Sequence, residues 1–235
     1  MVRGPSALLA AAGGALAYLL LAPALPDLGD GDAAVLVAGG LGLALLGVLG
    51  LSVLPLRTTP VLAVLLGLGA ALIAGALTVL EVGAAGDVPK AVLAACVGVV
   101  LGRALATPPV LVAVPIFVGA IDVWSVTAGP TSELLAREAG PVDFLSFAIP
   151  AWGGGEVGRL GLSDVVFLAL YATFAWELGL RRAVTAVALV GALVLALVIQ
   201  VVTDRTVPVL PLLGAALLLP NADRVIRLLA PAPQG

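Results

Sequence analysis

The sequence contains no histidine and only one cysteine. Without histidine there can be no Ser-His or Cys-His catalysis, no histidine-rich zinc site and no ordinary haem ligation. The lone Cys96 can form neither an intramolecular disulfide nor a thiolate metal site. Acid–base chemistry is therefore expected to rest on aspartate and glutamate, and neither a metal nor a cofactor is expected.

Charge is also scarce. Only 11% of the residues are charged, the net charge is -3, and there is no basic cluster of the kind that binds nucleic acid. Hydrophobic residues make up 62% of the chain, and the mean hydropathy is +1.23, well above the range of soluble domains. These values predict a multi-pass membrane protein whose main partner is the lipid bilayer.

Hydropathy and the positions of Pro, Gly and charged residues predict an all-α, polytopic transmembrane bundle of about eight spans, each about 20 residues long. The first apolar segment is interpreted as an uncleaved span rather than a signal peptide. We divide the chain into an N-terminal set of transmembrane helices, 1–107, and a C-terminal half, 108–235. The predicted spans are 5–25, 33–55, 60–80, 88–106, 108–128, 162–180, 183–203 and 206–222.

The distribution of basic residues predicts the orientation. With both termini inside, the cytoplasmic side holds seven Lys and Arg residues and the other side holds four, which favours this orientation by the positive-inside rule. We expect a multi-pass protein of a prokaryotic cytoplasmic membrane. In the fourth span, Lys90 and Arg103 are expected to snorkel toward the two interfaces.

One long connection, 129–161, separates the fifth and sixth spans. It contains a possible amphipathic helix over 132–139 and an apolar, strand-like segment over 142–149. Its "GGGEVG" stretch satisfies G-x-G-x-x-G at Gly153, Gly155 and Gly158, but no βαβ unit flanks it, so a flexible loop is favoured over a dinucleotide site. A connection of this length between spans is more often functional than not.

Two acidic residues fall in apolar segments. Asp122 lies in the fifth predicted span and Asp164 opens the sixth. An aspartate at membrane depth costs about 2.5 to 3.5 kcal/mol on insertion scales, so each is a functional candidate. Either residue could also pair with an arginine or cap a helix. Glu177, by contrast, is expected to form an i,i+4 ion pair with Arg181.

The order of these motifs resembles that of the presenilin and signal peptide peptidase family of intramembrane aspartyl proteases, the GxGD proteases. "GAIDVW" resembles the family's Tyr-Asp motif at Asp122, with Ile121 in place of tyrosine. "GLSD", which is Gly161, Leu162, Ser163 and Asp164, resembles Gly-x-Gly-Asp, with Ser163 in place of the second glycine. The proline-broken start of the last span, Pro208, Val209, Leu210 and Pro211, resembles Pro-Ala-Leu.

The resemblance covers roughly 108–222, and family members typically have nine spans. It implies an aspartic endopeptidase that hydrolyses peptide bonds in transmembrane segments or remnant signal peptides, with Asp122 and Asp164 as catalytic residues. One carboxyl would keep a proton while the other acts as base. Residues 161–163 and 208–211 would line the substrate site. The Ser163 hydroxyl could hydrogen-bond Asp164 or cap the following helix.

Other functions remain open at this stage. Two buried acids also suit a proton-coupled or ion transporter, which would predict an inverted repeat and a broken helix in each half. A catalytically inactive family member would keep the fold without a working pair of acids. Prepilin peptidases share a similar acidic motif, but their catalytic features are usually cytoplasmic, whereas both acids here are predicted nearer the outer face.

Overall fold

The computed structural model of the protein describes residues 4–29, 31–80, 83–128 and 145–230. Within these ranges the chain is an all-α bundle, as the sequence predicts. It also contains one short β-hairpin. The helices are α1 (Gly4–Leu21), α2 (Asp32–Ser52), α3 (Pro60–Val79), α4 (Asp87–Leu105), α5 (Pro108–Ala128), α6 (Leu162–Glu177), α7 (Arg182–Thr203), α8 (Val209–Leu218) and α9 (Ala222–Leu229). Short 3-10 turns, such as Leu54–Thr58 and Leu219–Asn221, join some of them.

Seven helical segments in the described ranges are long and apolar enough to cross a membrane. Large apolar side chains project outward from them, for example Leu72 on α3, which is 76% exposed, and Phe117 on α5, which is 67% exposed. Exposed apolar surface of this kind marks a protein whose surroundings are not water. The protein is therefore a multi-pass membrane protein.

Helix α6 covers the sixth predicted span, is shorter than the seven membrane-length segments, and lies at the centre of the bundle. Its 16 residues extend only about 24 Å at 1.5 Å per residue. Most of its side chains are buried, including Tyr171 and Phe174, both 0% exposed. Because other helices rather than lipid surround it, α6 does not need the full length of a lipid-facing span.

Glycines on α4 bring α6 unusually close. A Cβ atom on Gly98 would lie 2.2 Å from the Val166 carbonyl oxygen, and one on Gly102 would lie 2.7 Å from Thr173 Cβ. The spacing of the two glycines is that of a small-xxx-small face, which lets helix backbones approach each other. The abundance of small residues thus has a specific use at this interface, which joins the N-terminal helices to the C-terminal half.

The long connection ends in an antiparallel β-hairpin made of β1 (Ser146–Pro150) and β2 (Glu156–Gly161). The strand-like segment predicted over 142–149 is therefore a strand from Ser146 onward, while 142–144 and the helix predicted over 132–139 lie outside the described residues. Gly153, Gly154 and Gly155 form the turn with positive φ angles of 84°, 111° and 86°. The glycine-rich stretch is thus a hairpin turn, and Gly158 belongs to β2.

Charged residues gather at the two ends of the bundle. At one end Arg57 contacts Glu177 at 3.6 Å, and Arg181 contacts Asp223 at 2.7 Å. The predicted Glu177–Arg181 pair is wrong, because α6 ends at Glu177 and the chain then turns through Gly179 at a φ of 66°. The i,i+4 geometry of a continuous helix does not exist there.

Candidate functional site

Asp164 lies in the first turn of α6, directly after β2. Its side chain is buried, with 8% exposed, and its Oδ2 accepts a hydrogen bond of 3.0 Å from the Gly161 amide. The carboxylate therefore lies at the positive end of the α6 dipole, which stabilises its charge. Its Oδ1 accepts no hydrogen bond from the described residues.

Residues 161–163, which precede Asp164, are each compatible with the hydrogen bond between the Gly161 amide and the Asp164 carboxylate, for different reasons. A Cβ on Gly161 would lie 3.1 Å from Asp164 Oδ2, so a side chain there would press on the carboxylate. Leu162 continues the strand hydrogen bonding by donating its amide to the Leu145 carbonyl at 2.8 Å. Ser163 is in the first turn of α6, where the helical backbone accepts a Cβ without strain.

The Ser163 hydroxyl plays neither of the roles considered for it. Among the described residues it makes no hydrogen bond to Asp164, and the start of α6 has no side-chain cap from Ser163. Asp164 itself makes the capping contact, by accepting from Gly161. Serine in place of the family's second glycine therefore leaves the local backbone of the acid intact.

Asp122 lies on α5 and contacts the start of α8. Its Oδ2 accepts a hydrogen bond of 3.0 Å from the Leu210 amide. Pro208 precedes α8 with an extended backbone (φ -66°, ψ 122°), so the helix begins abruptly and its first amides point outward. Pro211 follows in the first turn and packs near Gly119 of α5.

Asp122 and Asp164 lie on two helices, α5 and α6, that both pack against α8. Among the described residues, Asp122 contacts the predicted 208–211 turn directly, because it accepts from the Leu210 amide. Each acid also lies at a helix N-terminus, Asp122 at that of α8 and Asp164 at that of α6.

An apolar groove lies between α5 and α8. It has a volume of about 360 Å³ and is open to the surroundings. Its lining includes the small residues Gly119, Ala120 and Gly214, together with Val123 and Pro211. The groove therefore offers apolar surface, suited to a helix or an acyl chain, beside the 208–211 turn.

A second pair of buried charges, Asp87 and Lys90, was not predicted from the sequence. Lys90 does not snorkel to an interface, because it is only 8% exposed and its Nζ contacts Asp87 Oδ1 at 2.9 Å. Asp87 is 4% exposed, and its Oδ2 accepts from the Ala148 amide of β1 at 3.1 Å. The i,i+3 spacing of Asp87 and Lys90 was the available signal, but only the fold shows that β1 covers the pair.

No protein-family model matches this sequence, and neither the curated proteins nor the solved structures contain a significant match to it.

Proposed function

We propose that the protein is an intramembrane aspartyl protease that hydrolyses peptide bonds within transmembrane segments or remnant signal peptides. The observation that carries this proposal is that Asp122 contacts the broken start of α8, and that Asp164 opens α6, a second helix packed against α8. One carboxylate draws a proton from water, and the other, protonated, donates to the scissile carbonyl and then protonates the leaving nitrogen. Asp122 and Asp164 share these roles as one titrating pair.

The unbonded Oδ1 of Asp164 supports this chemistry. A general base needs one oxygen that is free to accept from the water it activates. Asp164 uses Oδ2 for the Gly161 amide, and its Oδ1 accepts no hydrogen bond from the described residues. Holding one oxygen while leaving the other unbonded orients the carboxylate for reaction.

A substrate helix must unwind before its peptide bonds can be attacked, and the hairpin offers a partner for the unwound chain. The outward-facing Ala148 amide of β1 is already bound to Asp87. The sheet of the described residues has two strands, so the second edge of β2 pairs with no other strand. An extended substrate segment would add along β2, which leads directly to Asp164.

The groove between α5 and α8 suits the intact part of the substrate. Its lining is apolar and includes small residues, as expected where two transmembrane helices pack closely. A substrate helix that lies in this groove would contact Pro211, which belongs to the 208–211 turn that Asp122 contacts. The groove would hold the helical part while the hairpin takes the extended part.

The orientation predicted from the basic residues places the hairpin on the outer side and both termini inside. The described residues on the predicted inner side, among them Arg57, Arg181 and Arg224, meet at one end of the bundle, and the hairpin lies at the other. With this orientation the site resembles that of signal peptide peptidases, and substrates would enter in the type II orientation.

A proton-coupled or ion transporter is the alternative that two buried acids also suit. Transporters with inverted repeats carry a broken helix in each half. Here α2, α3 and α4 are continuous α-helices, and the helix that begins at a proline break, α8, belongs to the C-terminal half. This asymmetry favours the protease.

Purified protein in proteoliposomes, tested with an apolar type II peptide and with a proton-sensitive dye, separates these functions. Asp122→Asn and Asp164→Asn keep an oxygen that can accept from the helix N-terminus but cannot act as base. Each is expected to lower the cleavage rate by a factor of about 100 or more, the usual contribution of general acid–base catalysis. Asp223→Asn, on the exposed α9, is the control and should cleave at the wild-type rate.

Three results would distinguish a protease, a transporter and an inactive protein. Cleavage that both variants abolish supports the protease. Proton flux without cleavage, lost in the same variants, would establish the transporter instead. Neither cleavage nor flux, in a protein that is folded and correctly inserted, would indicate the inactive relative.

A further inference from the structure

We propose that the buried Asp87–Lys90 pair of α4 positions Asp164 by anchoring the β-hairpin. The inference rests on the proposed function, because it assigns a positioning role for the same reaction. Neither residue touches the two acids. They act through the hairpin, which runs directly into the first turn of α6.

The pair is buried and contacts the backbone of β1 twice. Asp87 Oδ2 accepts from the Ala148 amide at 3.1 Å, and Lys90 Nζ reaches the Ser146 carbonyl at 3.5 Å. The two side chains contact each other at 2.9 Å. Donor and acceptor are thus presented with the spacing of alternate strand residues, in the manner of a neighbouring strand.

The two contacts fix the register of β1, and β1 fixes β2. Ser146 pairs with Gly161 across the hairpin, and Ala148 pairs with Arg159. Gly161 is also the residue whose amide donates to Asp164 Oδ2 at 3.0 Å. A continuous series of contacts therefore runs from the pair on α4, through Ser146 and Gly161, to the carboxylate of Asp164.

The contribution of the Asp87–Lys90 pair to the stability of the fold does not by itself explain why two charged residues occupy this buried position. A buried ion pair gains little over well-packed apolar residues of similar size, since its desolvation offsets the attraction between the charges. What apolar residues cannot supply is the acceptor for the Ala148 amide and the donor for the Ser146 carbonyl. The pair therefore determines where the hairpin lies, and through it how Asp164 is oriented.

Two double variants that differ only at position 87 test this role. Asp87→Leu/Lys90→Met removes both charges and both backbone contacts. Asp87→Asn/Lys90→Met also removes the charges but retains an oxygen for the Ala148 amide. The matched control is Asp223→Leu/Arg227→Met, which neutralises an exposed ion pair on α9. The readouts are amide exchange at Ala148 and Gly161, which needs no substrate, and kcat and KM for peptide cleavage.

In the Leu/Met variant, exchange at Ala148 and Gly161 should accelerate about tenfold, the effect of losing a hydrogen bond to a charged acceptor. The kcat should fall by about tenfold or more while KM changes by less than about threefold, because the loss is one of orientation. The Asn/Met variant should recover most of the protection and of kcat. The control should match the wild type in every readout.

Unchanged exchange at Ala148 and Gly161 in the Leu/Met variant would overturn the inference, whether or not the protein cleaves peptides. A loosened hairpin with unchanged kcat would overturn it as well. A loss of kcat that the Asn/Met variant fails to recover would show that the contact with the Ala148 amide is not what orients Asp164, and would also contradict the inference. If the wild type cleaves no peptide but exchange responds as expected, the anchoring is supported and the proteolytic proposal fails.

Discussion

At the scale of single residues, Asp122 and Asp164 stand out as acids in apolar segments, and the sequence alone is enough to recognise them. The structure places both on helices that pack against α8. The contact between Asp122 and the start of α8 was not predictable from the sequence. It depends on where α8 begins relative to α5, and the two contacting residues, Asp122 and Leu210, are 88 positions apart.

Gly161 tests how closely the backbone must approach Asp164. Its backbone (φ -68°, ψ 144°) is open to any residue, so Gly161→Ala acts only through the Cβ, which would lie 3.1 Å from Asp164 Oδ2. We expect the cleavage rate to fall by up to about a hundredfold, as small misplacements of a catalytic group do. Kinetics beside Gly191→Ala, whose Cβ meets nothing within 4 Å, would check this. Equal rates for both variants would show that Asp164 needs no such space.

Tyr171 tests the packing of α6. Its hydroxyl is buried and has no hydrogen-bond partner among the described residues, and its ring packs near Phe167 and Phe174. Tyr171→Phe should raise the free energy of unfolding by about 1 kcal/mol, because it removes an unsatisfied polar group and keeps the ring. Denaturant unfolding in detergent measures the change. A loss of stability of similar size would mean that the hydroxyl has a partner in the membrane.

At the scale of secondary structure, helices long enough to cross a membrane were predictable from hydropathy, and their ends from Pro, Gly and charge. The hairpin was predictable only as an apolar, strand-like piece, since nothing local indicates that Asp87 and Lys90 would cover it. Arg103 and Lys90 look equivalent in the sequence, yet Lys90 turns into the protein and Arg103 contacts the Arg57 carbonyl at the opposite end. Burial by a distant segment decides between such outcomes.

The contact between α4 and α6 is the element-scale feature most sensitive to substitution. Gly98→Ala would place a Cβ 2.2 Å from the Val166 carbonyl oxygen, which is backbone and cannot rotate away. We expect a loss of stability of about 1 to 3 kcal/mol, the range for overpacking. Thermal unfolding in detergent would measure it. Gly75→Ala on α3, with nothing within 4 Å of its Cβ, should leave the stability unchanged. An equal loss of stability in this control would show that the effect of Gly98→Ala does not come from the α4–α6 contact.

At the scale of the whole molecule, the bundle separates a basic end from the end that carries the hairpin. Single cysteines in a Cys96→Ala background test the predicted orientation. Asp27→Cys, in the α1–α2 connection, should react with a membrane-impermeant maleimide in intact cells, and Asp223→Cys on α9 only after permeabilisation. The opposite pattern would invert the topology and move the proposed site toward the cytoplasmic side, where type II substrates would no longer fit.

The most direct test of the central claim asks whether Asp122 and Asp164 act as one unit. Single-turnover cleavage of a type II transmembrane peptide would be measured for Asp122→Asn, Asp164→Asn and the double variant in the same vesicles. If the two acids form one catalytic pair, the double variant should be no more than about twofold slower than the slower single variant, as for residues that act together. Losses that multiply, or a single variant that cleaves at the wild-type rate, would contradict the shared site.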